Sequence, residues 1–230
     1  MSSKRMTYHH GDLRRQLIQT AETLIAKQGV EAISMRTLSR EIGVSHTAAY
    51  RHFQDKQELL RALAQNGFAA LAQRLERVAA QWRDNPLAHI LAQGKAYIDF
   101  ALENPSRYRI MFGPILIHNR IEPEFNQAVR QAFTPLLSAI AQGQQRKEIR
   151  NDNVLELASM CWSLVHGFSQ SIIDGQLLPV LMDASGGLTK KEIARLTGLV
   201  LDTVVSGLMP REESITQREA LFDAQNQTQL

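Results

Sequence analysis

Apolar residues recur every three or four positions along most of the chain. This period places them on one face of a helix, and no run of alternating apolar and polar residues predicts a strand. The helical stretches are separated at Pro86 and Pro105, and the last one stops at Pro210. The pattern predicts an all-α protein.

Residues 34–53 predict two short helices joined by a tight turn. Ser34 and Ser45 are good N-caps, because a serine hydroxyl accepts a hydrogen bond from a free N–H in the first turn. Gly43 lies between them, where a helix ends on a left-handed residue. The second helix turns Ala49 and Phe53 inward. Two helices at a steep angle across a glycine turn form a helix-turn-helix, whose second helix fits the DNA major groove.

The positive charge of the chain is concentrated in the same part of the sequence. Over the whole chain 26 Lys and Arg stand against 23 Asp and Glu. Residues 1–60 hold nine of these basic residues and six of the acidic ones, so the rest of the chain is balanced. A surface that binds phosphates should have this distribution of charge.

The N-terminal segment resembles the DNA-binding domain of the tetracycline-repressor (TetR/AcrR) family. The motifs that carry the resemblance are a Ser-x-Arg-x-Leu start at 34–38, a Gly-Val-Ser turn at 43–45, a Tyr-x-His-Phe end at 50–53 and a Lys-x-x-Leu-Leu continuation at 56–60. The resemblance implies a homodimeric transcriptional repressor that binds a palindromic double-stranded DNA operator and is released by a small-molecule ligand.

The helix-turn-helix assigns roles to side chains by position. The first turn of the recognition helix reaches base edges, which predicts sequence reading by Ser45, His46, Thr47 and Ala48. Phosphate contacts fix the register, and they are predicted for Ser34, Thr37, Tyr50, His52 and Lys56. The resemblance also implies a DNA contact for Arg36, to a base or to a phosphate.

One departure from the family pattern lies in the recognition helix. Many members carry Gly-Thr-Leu before the tyrosine, where this chain has Thr47, Ala48 and Ala49. The fold tolerates this change, but the operator sequence cannot be transferred from relatives.

Residues 154–173 are apolar nearly all round, so this helix must be covered on more than one side. Asn151 and Asp152 are predicted to cap it. Its Trp162-x-x-x-His166-Gly167 motif resembles the signature of a C-terminal domain found in a subset of the family. The resemblance implies that the last two long helices form a four-helix bundle with the partner's copies. The predicted interface residues are Leu155, Ala158, Leu196, Leu199, Val200, Thr203 and Val204.

A pocket for a small hydrophobic ligand is predicted beside this helix. The candidate lining residues are Tyr97, Phe100, Tyr108, Met111, Phe112, Phe133, Trp162 and His166. Aromatic residues at helical spacing are more often core than ligand contacts, and which face of 154–173 lines the pocket is left open. A ligand would push the helix that begins at Lys56 and move the two recognition helices off their half-site separation of about 34–36 Å.

The predicted organisation has three segments. Residues 1–55 form the helix-turn-helix domain, residues 56–209 form a helical ligand-binding and dimerisation domain, and residues 210–230 form a polar tail. No apolar leader or membrane-length run is visible, which favours a soluble, cytoplasmic protein.

Three other classes of function are weighed against this one. An enzyme is disfavoured, because Cys161 and His166 lie about 140° apart around a helix and no Gly-rich loop or paired carboxylates suggest a cofactor or a reaction. A metal at His9, His10 and Asp12 is disfavoured, because adjacent histidines point apart. A constitutive or architectural DNA-binding protein without a ligand remains open, and so does activation instead of repression.

Overall fold

The computed structural model describes residues 10–113, 123–177 and 188–210. These residues form nine α-helices and one short 3-10 turn, with no strand among them, which confirms the all-α prediction. The predicted polar tail after residue 210 and the histidine at position 9 lie outside the described residues. The helices are α1 (His10–Gln28), α2 (Met35–Ile42), α3 (His46–Tyr50), α4 (Lys56–Ala79), α5 (Pro86–Glu103), α6 (Pro105–Met111), α7 (Pro123–Gln145), α8 (Val154–Ile173) and α9 (Lys190–Leu208).

Side-chain caps fix the ends of several helices. Thr189 and Glu192 form a capping box at the start of α9, in which each side chain accepts from the other's backbone N–H. The cap of α8 is Asn153, whose side chain accepts from the N–H groups of Leu155 and Glu156. The prediction of a cap at Asn151 and Asp152 is therefore wrong by one or two residues.

The helices fall into two compact units. Unit 1 comprises Met1–Glu76 and Asp99–Phe133, and unit 2 comprises Arg77–Ile98 and Thr134–Leu230. The domain boundary predicted between residues 55 and 56 coincides with the start of α4, whereas unit 1 continues beyond it. The reason is that the first turns of α4 are buried, with Leu59 and Leu60 almost fully covered.

In unit 1 the short helix α6 is held against α1 and α4. The guanidinium of Arg107 donates to the carboxylate of Glu22 in α1 at 3.1 Å. Gly67 of α4 leaves room for Met111, because a Cβ at position 67 would lie 2.6 Å from the Met111 sulfur. The absence of a side chain at Gly67 therefore allows the close contact between α6 and α4.

In unit 2 the helices α5, α8 and α9 pack closely. A Cβ on Gly94 of α5 would lie 2.5 Å from a methyl group of Leu201 in α9 and 3.6 Å from one of Val165 in α8. The turn before α8 is tied to the end of α9, since the Arg150 N–H donates to the Leu208 carbonyl at 2.9 Å. This packing fixes which faces of α8 and α9 stay exposed.

Candidate nucleic-acid interface

The turn between α2 and α3 is defined by one glycine and two serine caps. Gly43 has φ 79° and ψ 31°, the left-handed conformation that ends α2. The Ser34 hydroxyl accepts from the Thr37 N–H at 3.0 Å, and the Ser45 hydroxyl accepts from the Ala48 N–H at 3.2 Å. The two helices and their turn have the geometry predicted from the sequence.

Buried side chains hold the inner sides of α2 and α3. Leu38, Ala49 and Phe53 are fully covered. The guanidinium of Arg14 in α1 lies 5.0 Å from the centre of the Phe53 ring, within the range of a cation–π interaction. Because the inner side is fixed in this way, the opposite side of α3 is presented to solvent.

The predicted base-reading residues lie at the exposed start of α3. Ser45, His46 and Thr47 are exposed and Ala48 is half-buried. Helix α3 has only five residues, so these positions are its N-cap and first turn. The His46 ring meets the exposed Tyr50 ring edge-on, with centroids 5.7 Å apart.

The predicted phosphate-binding residues surround this surface. Ser34 and Arg36 are exposed, and Thr37, His52 and Lys56 are half-buried. Arg40 in the last turn of α2 and Arg51 directly after α3 are also exposed. These two cations were not among the predicted contacts, because prediction from motif positions passes over residues that the motif leaves variable.

The start of α4 gives Lys56 a second physical context. Asp55 accepts from the Glu58 N–H at 2.7 Å, and Glu58 accepts from the Gln54 N–H at 2.6 Å. Two carboxylates in the first turn stabilise the positive end of the helix dipole. They also offset the unfavourable charge of Lys56 there, so a phosphate is not the only group that can explain this lysine.

A second polar site lies in unit 2. The Tyr97 hydroxyl and the His166 Nδ1 are 3.0 Å apart, which ties α5 to α8. The Trp162 ring stacks on the His166 ring with centroids 4.6 Å apart and an angle of 20° between planes. Desolvation lowers the pKa of His166 from its ordinary value of 6.5. The structure thus brings together three of the predicted ligand-binding residues.

The other predicted ligand-binding residues belong to unit 1. Phe100, Tyr108 and Met111 are buried there, and Phe112 and Phe133 are half-buried. The Phe112 ring lies 4.8 Å from the Tyr108 ring and 5.3 Å from that of Phe68 in α4. These contacts make Tyr108 and Phe112 part of the core of unit 1, and their role in ligand binding stays a prediction.

Sequence reasoning missed a buried polar pair on α5. His89 and Gln93 are 5% and 4% exposed, and the His89 Nε2 and Gln93 Nε2 atoms lie 2.9 Å apart. Desolvation lowers the pKa of His89 from 6.5. The sequence shows this pair as two polar residues four apart in an apolar stretch, but a search for apolar periodicity passes over them.

The predicted interface residues of α8 and α9 differ in their exposure in the single chain. Leu155 and Leu199 are 64% and 52% exposed, and Thr203 is also exposed, whereas Leu196 and Val200 are half-buried. Ala158 and Val204 are 3% and 4% exposed, because both lie on the inner faces of their helices. Their place in the interface stays a prediction. Two residues of α8 that are absent from the prediction are also exposed: Met160 and Leu164.

The surroundings of Cys161 and the grouping of possible metal ligands bear on the alternatives of catalysis and metal binding. Burial raises the pKa of the Cys161 thiol to about 11, so the reactive thiolate is scarce near neutral pH. Among the described residues no three His, Cys, Asp or Glu side chains are grouped to hold a metal ion. None of the described helices has the length and apolar character needed to span a membrane.

The geometry of α2 and α3 is that of a helix-turn-helix protein, and comparison with known families agrees. Residues 17–63 match the family of bacterial regulatory proteins called tetR. Residues 90–206 match the tetracyclin repressor-like C-terminal domain. The chain therefore belongs to the tetR family of regulators. This assignment confirms a DNA-binding regulator and the expectation that the chain is not an enzyme. The Trp-x-x-x-His-Gly subgroup stays a prediction.

Solved structures share this fold, and curated relatives share part of the sequence. A Rhodococcus sp. RHA1 protein of unknown function has a TM-score of 0.73 and 30% identity, with 89% of this chain and 100% of that one covered. The ketosteroid transcriptional regulator KstR2 of Mycobacterium tuberculosis has a TM-score of 0.59 and 16% identity, with 92% and 100% covered. The nucleoid occlusion factor SlmA of Vibrio vulnificus (strain YJ016) is 28% identical over 137 residues, which are 58% of this chain and 69% of that protein.

The left-handed conformation of Gly43 predicts that the loss of stability on substitution depends on the residue that replaces it. Gly43→Val should lower the free energy of unfolding by roughly 1–3 kcal/mol, because a β-branched residue is strained at positive φ. A Cβ at this position meets nothing within 4 Å, so crowding contributes no cost. Gly43→Asn is the matched control, since asparagine tolerates this conformation. Urea denaturation should rank Val well below Asn, and equal losses would argue against backbone strain.

The two desolvated histidines predict a loss of stability in acid. His89 and His166 have pKa values lowered from 6.5, so below about pH 6.5 the unfolded chain binds more protons than the folded one. Their contribution to stability is therefore lost as the pH falls from 6.5 towards the folded-state pKa values. Urea denaturation at pH 7.5 and 5.5 should show a smaller loss for His89→Gln than for the wild type. An unchanged loss would mean that the pKa of His89 is the same in the folded and the unfolded chain.

Proposed function

We propose that this protein is a homodimeric transcriptional repressor that leaves a palindromic operator when a small hydrophobic ligand binds. The observation that carries the proposal is the capped helix-turn-helix, whose inner side is buried while the first turn of α3 is exposed. An exposed first turn is the part of a recognition helix that reaches base edges. The exposed hydroxyls of Ser45 and Thr47 and the ring of His46 are the groups that would read them.

Exposed cations support the contacts that hold the duplex. Arg36, Arg40 and Arg51 lie at the surface of α2 and α3. Each phosphate contact of this kind releases counterions and makes affinity depend on salt. We expect these three arginines to contact the phosphates of the DNA and so fix the register of the protein on the duplex. The first turn of α3 would then read the sequence.

An exposed apolar face supports dimerisation. Leu155, Met160 and Leu164 of α8 and Leu199 of α9 are exposed although they are large and apolar. Gly167 and Gly198 have open space where a Cβ would lie, which permits close approach of another backbone. Apolar faces on two consecutive packed helices are typical of an interface with a second copy of the chain.

The packing of α6 supports a route from ligand to DNA. In unit 1, α6 contacts α1 through Arg107 and Glu22 and contacts α4 through Met111 and Gly67. A displacement of α6 or α4 would therefore also move α1. The Arg14 side chain of α1 in turn contacts the Phe53 ring, which follows α3. A ligand that prefers one arrangement of these helices would shift the population of DNA-binding forms.

The alternative is a DNA-binding protein that acts on chromosome organisation without an inducer. Its support is the 28% identity to nucleoid occlusion factors. The two functions differ in their response to small molecules. A thermal-shift panel of hydrophobic compounds should raise the melting temperature of a ligand-responsive repressor, whereas no response to any compound favours the alternative.

Selection of bound sequences from random duplex DNA should enrich a palindrome. We expect Thr47→Ala to lose about 1–3 kcal/mol of discrimination at one base pair of each half-site. Arg51→Ala should weaken binding to all sequences and reduce the salt slope by about one. Affinity is measured by fluorescence anisotropy at several salt concentrations. Thr23→Ala is the control, since it removes an exposed hydroxyl that donates within α1.

Two outcomes would count against the proposed repressor. Enrichment of no sequence, together with weak and sequence-blind binding, would support the architectural alternative. An unchanged base preference in Thr47→Ala would mean that the first turn of α3 does not read the operator.

Charge placed on the exposed α8–α9 face should separate the subunits. Leu164→Glu combined with Leu199→Glu is expected to give a folded monomer, because both leucines are exposed in the single chain and desolvated only in a dimer. Trp82→Glu is the control, an exposed large apolar residue that lies outside α8 and α9. Analytical ultracentrifugation gives the mass and circular dichroism the helicity. A dimer that persists in the double variant would place the interface elsewhere.

A further inference from the structure

The buried pair His89–Gln93 has no evident role in holding the helices of unit 2 together. Both residues belong to α5 and are four apart, so their hydrogen bond lies within one helix. Such a bond ties α5 to no neighbour. The Tyr97–His166 contact one turn later differs, because it joins α5 to α8.

The pair also has hydrogen-bonding capacity beyond the bond that it makes. An imidazole has two ring nitrogens and a glutamine amide has one acceptor and two donor hydrogens. Among the described residues, the two side chains bond only to each other. Neither residue has a fully buried side-chain atom that lacks a partner. The remaining polar atoms of the pair are therefore open to a further hydrogen-bonding partner.

The surroundings define the chemistry of that partner. His89, Gln93 and Tyr97 follow each other at intervals of four on α5, a buried polar stripe roughly 12 Å long. The charged residues of the same helix are Lys95 and Glu103, which are exposed, and Asp99, which is half-buried. Ile90 and Ile98 beside it are buried. The buried polar residues of the described chain include no Lys, Arg, Asp or Glu that would neutralise a charge. An uncompensated buried charge is strongly disfavoured.

We propose that His89 and Gln93 bind the uncharged hydrogen-bonding group of the regulatory ligand, a hydroxyl, ketone or amide on an otherwise apolar molecule. This inference rests on the proposed ligand-responsive function and specifies its ligand. The Gln93 amide both donates and accepts, and His89 adds a ring nitrogen, so a hydroxyl or carbonyl finds a partner in either orientation. The lowered pKa of His89 agrees with a site that disfavours charge.

The first test asks whether the His89–Gln93 pair stabilises the folded protein. In the ligand-free, full-length protein, the double variant His89→Phe/Gln93→Met should melt no lower than the wild type. Replacing both members of a buried polar pair by apolar groups of similar shape is neutral or stabilising. Gln93→Met alone leaves His89 without its partner and should lower the melting temperature by roughly 2–4 °C. A double variant that melts below the wild type would overturn the proposal, because it would make the pair structural.

The second test uses probes that share one chain and differ in the polar group. These are 1-decanol and 2-decanone, which are uncharged, and decanoate and decylamine, which are charged at pH 7.5. Thermal shift and calorimetry should show that the uncharged probes bind the wild type at least tenfold more tightly than the charged ones. The double variant should lose this preference. Ser169→Ala is the matched control, because it removes a buried hydroxyl that also bonds within its own helix.

Failure of the His89–Gln93 assignment can be distinguished from failure of the proposed repressor function. Equal binding of charged and uncharged probes, binding unchanged in the double variant, or no binding of any probe would each overturn the assignment of His89 and Gln93. Operator selection with the same preparations reports on the regulator itself. If the protein enriches an operator but fails the probe test, only the assignment of His89 and Gln93 is overturned. If it enriches no operator, the proposed repressor function is overturned.

Discussion

The conformation of Gly43 is the constraint on which the proposed interface depends. Its positive φ turns the chain sharply enough for α3 to return its Ala49 side to the core while the first turn of α3 stays in solvent. The caps at Ser34 and Ser45 each satisfy one N–H group in the first turn of α2 and of α3. The geometry of the proposed interface is thus set by three residues, of which Ser34 and Ser45 are also predicted to contact the operator.

Local signals explain why this region could be predicted from the sequence. A cap, a left-handed glycine and an inward pair at four-residue spacing each act within one or two turns, so the sequence window contains both partners. The same reasoning placed α8 correctly but chose its cap one or two residues too early, since Asn151, Asp152 and Asn153 all have capping side chains. Which of them caps depends on the turn fixed by Arg150 and Leu208, a contact distant in sequence.

For α8, which is apolar on nearly every side, the buried face could not be predicted in the same way. In α8 the sequence offers apolar residues on every side, and the neighbours decide which side is covered. Gly94 lets α5 approach Val165, so Ala158 lies inside whereas Leu155 remains outside. The polar pair on α5 was missed for a related reason, because a pattern search for apolar stripes treats His89 and Gln93 as interruptions.

Helix α8 links the proposed ligand and partner surfaces because one rigid element carries both. Its Trp162 and His166 edge meets Tyr97 of α5, and Leu164 lies on the exposed side. These positions are at most four residues apart, so a rotation of α8 that accommodates a ligand at one edge also reorients the other. Allosteric coupling needs differential contacts in two states, not a long pathway. A ligand held on the polar stripe of α5 would alter the Tyr97–His166 contact and, through α8, the surface offered to the second subunit.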